Sequence, residues 1–222
     1  MHVTTIRAQN LFDSNCYLLR SADGFVLIDT SVAGRRDALV GKLRSAGCEP
    51  GDLRLVVLTH AHSDHAGNCA HLQVAYRAPV AMHVGDAGKA ERGDMFWQPE
   101  GPTLAMRLAK AVTSLMGIAR FEPFVPDVLL EEGRRLDEYG LPATVLHLPG
   151  HSPGSICILA DTGELFCGDL LTGTRGPQLN TIIDVAADYE ASIERLRGLP
   201  ATTVYPGHGV PFALDELSRT HG

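Results

Sequence analysis

The stretch THAHSDH, at residues 59–65, places three histidines and one aspartate within six positions. It follows a continuous run of leucine and β-branched residues at 53–58, which is typical of a strand buried on both faces. Open sheets bind ligands at the carboxyl ends of such strands, and imidazole and carboxylate groups are common metal ligands. The stretch therefore predicts a metal site at the end of this strand.

A single histidine is usually a structural or surface residue. Random placement of ten histidines in 222 residues rarely brings three of them together with an aspartate after one strand. In a tight turn, alternate side chains can converge on one point. We therefore expect His60 and His62 to bind one ion while Asp64 and His65 face a second.

Three later positions repeat this arrangement, because an apolar strand ends, a glycine lets the chain turn sharply, and one ligand-type side chain follows. These positions are His151, Asp169 and His208, which come directly after Gly150, Gly168 and Gly207. Asp29 follows the apolar run at 25–28 and fits the same pattern. We expect Asp29 to support the ligands by hydrogen bonds rather than to bind metal itself.

The order of apolar runs and helical patterns indicates the fold class. Strands are predicted at residues 16–19, 25–28, 53–58, 79–83, 144–148, 155–159, 165–167 and 202–205, and helices at about 35–46, 103–118, 187–196 and 214–219. Two β-sheets packed face to face with helices outside satisfy this order. No linker rich in proline, glycine and serine interrupts the chain, so residues 1–222 are predicted to form a single domain.

The amino-acid composition limits the kinds of molecule that this protein is expected to bind. Hydrophobic residues make up 45% and charged residues 20%, as in globular proteins. A net charge of −7 without a long Lys/Arg run argues against nucleic acid or a membrane surface, and no segment has the ~18–20 apolar residues of a membrane span. The five cysteines are odd in number and widely spaced, which argues against a disulfide framework. We therefore predict a cytoplasmic protein that acts on a small molecule.

The segment at about 85–126 differs from the rest and is predicted to be a helical insert near the substrate pocket. Its helix carries apolar side chains at helical spacing, namely Leu104, Leu108, Val112, Leu115 and Met116. We expect this helix to pack on a sheet, which is compatible with covering a substrate. Candidates for the pocket wall are Met95, Trp97, Met106, Met116 and Phe121, and they favour a substrate with an apolar part. A homodimer formed through this apolar segment is also compatible with the sequence.

Taken in order, these side chains resemble the signature of the metallo-β-lactamase superfamily, H-x-H-x-D-H followed by a later His, an Asp and a final His. The matching residues are His60, His62, Asp64, His65, His151, Asp169 and His208, and Asp29 matches an early Asp of the family. The resemblance covers essentially the whole chain, from the first hairpin to the final histidine. It implies the four-layer αββα sandwich, with two mixed sheets face to face and helices outside, in agreement with the order of elements.

The resemblance also implies a ligand set and a reaction. His60, His62 and His151 would hold one ion, Asp64, His65 and His208 a second, and Asp169 would bridge both. Two divalent ions are implied, with Zn²⁺ favoured and Fe or Mn as alternatives. A hydroxide shared by the two ions would cleave an ester, lactone, thioester or amide bond. Asp64, as the catalytic carboxylate, would orient the nucleophile or carry a proton to the leaving group.

Departures from the family's branches narrow this implied activity. Asp169 stands where the antibiotic-hydrolysing branch has Cys, which disfavours a true β-lactamase and favours the hydroxyacylglutathione hydrolase and lactonase branches. The sequence ends soon after His208, so we do not expect the C-terminal helical region of the former, and residues 170–175 contain no Tyr of the kind that the latter has after this Asp. A mononuclear iron persulfide-type dioxygenase stays open, because its ligands are a subset of these. A non-catalytic scaffold is disfavoured, because no ligand is missing.

Overall fold

The computed structural model describes residues 2–7, 13–21, 23–115, 117 and 119–219. Its strands are β1 (Val3–Ile6), β2 (Cys16–Ser21), β3 (Gly24–Ile28), β4 (Leu53–Val57), β5 (Val80–His83), β6 (Val128–Leu130), β7 (Ala143–His147), β8 (Ile156–Ala160), β9 (Glu164–Gly168), β10 (Leu171–Thr172), β11 (Gln178–Leu179), β12 (Thr203–Pro206) and β13 (Phe212–Ala213). Its α-helices are α1 (Arg36–Ser45), α2 (Ser63–Ala66), α3 (Cys69–Ala75), α4 (Val84–Arg92), α5 (Leu104–Leu115), α6 (Ala186–Leu196) and α7 (Leu214–Arg219). Short 3-10 turns lie at Ala33–Arg35 and Asp137–Tyr139.

The strands form two main sheets. The first has six strands in the order β1-β2-β3-β4-β5-β6, antiparallel from β1 to β3 and parallel from β3 to β6. The second has five strands in the order β13-β12-β9-β8-β7, and only its β12–β9 pair is parallel. A ribbon of β10 and β11 lies apart from both. Both main sheets therefore contain parallel and antiparallel pairs, so both are mixed sheets, as predicted.

Alternation of side chains along the strands produces three apolar layers. In β2, Leu18 packs with Leu39 and Leu43 of α1, whereas Leu19 lies in the layer between the two sheets. In β7, Val145 lies in that same middle layer, while Leu146 packs in a third cluster with α6. Three cores between four layers make an αββα sandwich, and the predicted fold class is confirmed.

The predicted elements also formed, with bounds shifted by up to three residues. The strands predicted at 53–58 and 144–148, for example, are β4 (Leu53–Val57) and β7 (Ala143–His147). Eight of the described strands and α-helices were not predicted from the sequence, namely β1, β6, β10, β11, β13, α2, α3 and α4. They are only two to nine residues long, so their hydrophobic periodicity is short.

Helix α5 formed where an amphipathic helix was predicted, but its expected packing on a sheet is wrong. The apolar stripe faces solvent, with Leu104 at 74% and Leu115 at 91% exposure, and Leu108 and Val112 are exposed as well. On the opposite face of α5, Lys110 forms an ion pair with Asp94, which lies between α4 and α5. Periodicity identifies the residues that share a helix face but not whether that face meets a partner. Met116, predicted on the same stripe, lies outside the described residues.

Within the part of the chain that the structure describes, no helix combines the length and the apolar character needed to cross a membrane.

Candidate metal centre

Turns from both sheets meet at one edge of the sandwich and bring all seven predicted ligand side chains together. Their ligand atoms form three overlapping groups, each within 4.8 Å: His60, His62 and His151; His60, His65 and Asp169; and Asp64, His65 and His208. We call the first of these groups the histidine cluster and the last the carboxylate cluster. Asp169 lies between the two.

The histidine cluster is a convergence of three imidazole nitrogens. Nε2 of His151 lies 3.1 Å from Nε2 of His60 and 3.1 Å from Nδ1 of His62. Burial, reinforced by the neighbouring imidazoles, holds the pKa of His60 well below its usual value, and burial together with His151 and Lys89 lowers the pKa of His62 to about 3. At neutral pH these two rings are therefore uncharged, and their lone pairs are available to a cation.

The carboxylate cluster has the opposite electrostatics. Nε2 of His208 lies 3.1 Å from Oδ2 of Asp64, and Nε2 of His65 lies 3.7 Å from the same oxygen. Burial alone would lower the pKa of His208, but the carboxylates of Asp169 and Asp64 outweigh it and raise this pKa to about 10. Burial likewise works against the charge of Asp64, yet His65 and His208 keep its pKa below the ordinary value. This cluster therefore sets imidazoles against carboxylates, whereas the histidine cluster sets imidazoles against one another.

Asp169 contacts histidines of both clusters. Its Oδ2 lies 3.6 Å from Nε2 of His151 and 3.4 Å from Nε2 of His208, and its Oδ1 lies 3.4 Å from Nε2 of His65. The side chain is almost completely buried. Burial raises its pKa, but His208 and His65 outweigh this and hold the pKa well below its usual range. Asp169 is therefore an ionised carboxylate placed to serve both clusters at once.

Two buried atoms at this junction show that the residues fit a cation. Among the described residues, Nε2 of His65 and Oδ1 of Asp169 have no hydrogen-bond partner, although both are fully buried. Buried polar atoms in native proteins are nearly always partnered. Imidazole nitrogens and carboxylate oxygens together suit zinc, iron or manganese. The donor set and its two orphaned atoms are those of a site for divalent metal.

Hydrogen bonds behind the rings orient the histidines. The side chain of Asp29, in a left-handed backbone conformation at φ 59°, lies 2.8 Å from Nδ1 of His65 and accepts hydrogen bonds from N–H and Oγ1 of Thr59. Nδ1 of His151 lies 2.6 Å from the carbonyl oxygen of Ile182. Each contact occupies Nδ1 and leaves Nε2 facing the cluster, the arrangement that outer partners of metal-binding histidines provide. Asp29 thus lies where it was expected, and its ring contact is with His65.

The glycines that precede the ligands provide space as well as turns. A Cβ on Gly207 would lie 2.3 Å from Oδ1 of Asp169 and 2.7 Å from Cε1 of His65. Gly168 has φ 50°, and a Cβ there would lie 2.5 Å from Oγ1 of Thr59. A side chain at Gly207 would displace Asp169 and His65, and one at Gly168 would displace Thr59, which hydrogen-bonds to Asp29.

A matching family model identifies the family of this chain. The model of the metallo-beta-lactamase superfamily matches residues 10–208, which include all seven candidate ligand residues. The chain belongs to the metallo-β-lactamase superfamily. Among curated relatives, the acyl-coenzyme A thioesterase MBLAC2 of Gallus gallus is 32% identical over 93% of this chain and 76% of its own length. The probable metallo-hydrolase YflN of Bacillus subtilis is 24% identical over 96% and 84%.

Solved structures agree with this assignment. TTHA1623 in a di-iron-bound form is 31% identical, with a TM-score of 0.73 over 99% of this chain and 98% of its own. The B3 metallo-beta-lactamase BLEG-1 has the same TM-score of 0.73 at 23% identity, over 97% and 95%, and this likeness concerns the fold alone. As a member of this superfamily with such relatives, the chain is a metal-dependent hydrolase.

The two serines beside the candidate ligands, Ser63 and Ser152, make side-chain hydrogen bonds. Oγ of Ser152 donates to Oδ2 of Asp86, and Oγ of Ser63 lies 3.4 Å from Sδ of Met95. The sequence analysis missed the support from the N-terminal segment, where Oγ of Ser14 donates to the backbone oxygen of Asp64 at 2.6 Å and Asn15 donates to the carbonyl of Pro206. No local pattern signals these contacts, because the partners are 50 and 191 positions apart in the chain.

The candidate pocket-wall residues separate into two groups. Phe121 packs against Phe124 in the core between the first sheet and its helices, so its assignment to the pocket wall is wrong. Trp97 lies over Arg92 and lines a cavity of about 220 Å³ beside the turn that carries His151. Met95 touches Ser63 in the ligand turn. Aromatic and sulfur side chains suit both a core and a pocket, so their type alone did not separate these positions.

Proposed function

We propose that this chain is a dinuclear hydrolase of acyl thioesters whose acyl part is apolar. The observation that carries the proposal is the pair of adjacent ligand clusters that share Asp169. In the proposed assignment, His60, His62 and His151 would hold one ion, Asp64, His65 and His208 would hold the other, and Asp169 would serve both. The name of the thioesterase relative, at 32% identity, favours the thioester among the carbonyl bonds such a centre could cleave.

The proposed cofactor is a pair of divalent ions. The nitrogen-rich histidine cluster favours Zn²⁺, and the di-iron form of TTHA1623 makes iron the alternative that elemental analysis must separate. When bound, two such ions acidify a shared water near neutral pH and polarise the carbonyl of the substrate. The remaining chemistry belongs to the side chains of this protein.

Asp64 is the proposed catalytic carboxylate. Its side chain is 22% exposed, whereas that of His65 is fully buried, so Asp64 is reachable from the open side of the centre. Its Oδ2 lies 3.1 Å from Nε2 of His208, and this contact orients the Asp64 side chain within the carboxylate cluster. A thiol has an ordinary pKa of about 8.5, so a thiolate departs without a strong proton donor. Asp64 therefore needs only to orient the attacking water and to accept its proton.

Apolar side chains flank the centre on two sides and support an apolar acyl group. Ile182, whose carbonyl holds His151, is 69% exposed, and Ile183 beside it is also exposed. On the other side, Met95 contacts Ser63 of the ligand turn, and Trp97 lines the 220 Å³ cavity. Exposed apolar side chains next to a polar centre are typical of ligand-binding sites. We propose this part of the 85–126 segment as a wall of the acyl site.

The test combines metal content with turnover. Purified protein is analysed for Zn, Fe and Mn, and hydrolysis is measured on a long-chain acyl thioester, a glutathione thioester, a lactone, an aryl ester and a cephalosporin. Two divalent ions per chain with preference for the acyl thioester are expected. Asp188→Ala, at an exposed position of α6, is the matched control and should keep wild-type activity. One iron per chain with oxygen uptake on a persulfide and no hydrolysis would overturn the proposal in favour of the dioxygenase.

A further inference from the structure

A buried carboxylate outside the ligand set joins two ligand turns that come from different sheets. Asp86, in the first turn of α4, is fully buried. Its Oδ2 accepts hydrogen bonds from N–H of Ala61 at 3.0 Å and from Oγ of Ser152 at 2.7 Å, and its Oδ1 accepts from N–H of Gly154 at 3.2 Å. Ala61 lies between His60 and His62, and Ser152 follows His151. One carboxylate therefore connects the two backbone turns that carry the three residues of the histidine cluster.

A buried lysine extends this connection to the loop that orients His151. Nζ of Lys89, on the next turn of α4, lies 3.1 Å from Oδ1 of Asp86 and 3.9 Å from Oδ2 of Asp184. N–H of Asp184 donates to the carbonyl of Gly150 at 2.7 Å, and two residues earlier the carbonyl of Ile182 contacts His151. Burial raises the pKa of Asp86, but Lys89 and the hydrogen bonds of Ala61 and Ser152 outweigh it, so the carboxylate is ionised.

The backbone is shaped for this contact. A Cβ on Gly154 would lie 2.6 Å from N of Asp86, and a Cβ on Gly85 would lie 2.7 Å from the carbonyl oxygen of Pro153. Glycine at both positions therefore lets the start of α4 rest directly on the turn that follows His151. Such a close approach with three hydrogen bonds to one carboxylate restricts the relative movement of the two turns.

We propose that Asp86, with Lys89 as its counter-ion, is the positioning residue that holds the histidine cluster in its metal-binding geometry. Asp86 bonds to Ala61, Ser152 and Gly154, none of which is a ligand, and so acts on the metal only through the two turns. Its role mirrors that of Asp29, which supports Thr59 and His65. The inference rests on the proposed two-ion function.

The consequence is a selective loss of one ion. Outer hydrogen-bond partners of metal ligands typically contribute 10–100-fold to metal affinity. In Asp86→Ala we expect affinity for the ion of the histidine cluster to fall by about 10–100-fold, with the other ion bound as in the wild type. Asp86→Asn keeps a carbonyl acceptor for the two turns and should lose less, by about tenfold.

The experiment titrates metal-free protein with Co²⁺ and with Zn²⁺ against a competing chelator, and follows the visible Co²⁺ spectrum to separate the two ions. Substrate is not involved, so the readout is independent of turnover. Asp127→Ala is the matched control, because Asp127 also accepts a backbone hydrogen bond, from Val80 at 2.8 Å, but at the amino end of β5 away from the centre. Loss of this carboxylate should leave both affinities unchanged. Thermal unfolding of each metal-free variant accompanies the titration.

The outcomes separate this inference from the proposed function. Selective weakening of one ion in Asp86→Ala, partial in Asp86→Asn and absent in Asp127→Ala, supports the positioning role. Equal weakening of both ions, or wild-type affinity for both, overturns it while the proposed function stands. If the wild type itself takes up only one ion, the proposed function fails first. Should Asp86→Ala not fold, the titration of Asp86→Asn decides between the same outcomes.

Discussion

The two clusters of the candidate metal centre both contact the carboxylate of Asp169 but differ in the charges around their imidazoles. In the histidine cluster, burial lowers the pKa of His60 and His62. In the carboxylate cluster, burial acts in the same direction on His65, yet the carboxylates of Asp29, Asp64 and Asp169 outweigh it and hold its pKa well above the usual value. Equal burial therefore has opposite outcomes, because the nearest groups are imidazoles in one case and carboxylates in the other.

Because of this difference, the two clusters are held in place by different kinds of neighbouring group. The carboxylate cluster pairs its histidines with carboxylates, His65 with Asp29 and His208 with Asp64. The histidine cluster places its imidazoles against one another. Its backbone turns and the His151 ring are hydrogen-bonded from outside, by Asp86 and the carbonyl of Ile182. Removing one residue from either half should therefore have consequences of different kind and size.

The largest effect is expected at the residue that both clusters share. Asp169→Ala removes the carboxylate between His151 and His208, and we expect kcat/KM for the preferred thioester to fall on the order of 10³-fold or more. Elemental analysis should show fewer than two ions per chain. His62→Ala and His208→Ala each remove a ligand from one cluster only and serve as the comparison. Two ions and activity within tenfold of wild type in Asp169→Ala would contradict the bridging role.

The next effect concerns stability and belongs to the carboxylate cluster. Asp29 and His65 form a fully buried pair at 2.8 Å. Removing one partner of a buried pair costs about 3–5 kcal/mol, because the other is left uncompensated. We expect Asp29→Ala to lower the free energy of unfolding of the metal-free protein by about 3 kcal/mol. Urea denaturation measures this, with Asp188→Ala as the exposed control, and a change below 1 kcal/mol would argue against the pair.

Metal removal tests how far both halves depend on their ions. An ion present at 100 times its dissociation constant stabilises the native state by about 2.7 kcal/mol. For a chain of 222 residues, chelation should therefore lower Tm on the order of 5–10 °C. His208→Ala and His62→Ala should each show part of this shift. An unchanged Tm after complete removal of metal would mean that the ions contribute nothing to the fold.

The smallest effects are expected at two serines, one next to the carboxylate cluster and one next to the histidine cluster. Ser14 donates to the backbone of Asp64, and Ser152 donates to Asp86. A single hydrogen bond is worth about 1 kcal/mol, so Ser14→Ala should weaken only the ion of the carboxylate cluster and Ser152→Ala only that of the histidine cluster, each about fivefold. The Co²⁺ titration resolves the two ions. Identical effects of both variants would show that the halves are not independent.

Asp86 illustrates how far the ligand pattern extends along the chain. It follows β5 and Gly85, as Asp169 follows β9 and Gly168. A strand, a glycine and an aspartate therefore signal this position too, although the sequence analysis did not include it. The pattern itself does not distinguish a carboxylate that faces the metal from one that faces two backbone turns. That difference depends on partners 25 and 66 positions away.

The sequence by itself determined the αββα order of layers and the position of every candidate ligand next to a strand end. Both follow from local patterns, since periodicity reports buried faces and a ligand directly after a strand must lie at the sheet edge. Only the tertiary structure decided that the apolar stripe of α5 faces solvent, that Phe121 belongs to the core, and that Asp86 is hydrogen-bonded to both turns of the histidine cluster. The physical reason is that a local pattern describes a face, whereas its partner comes from a distant part of the chain.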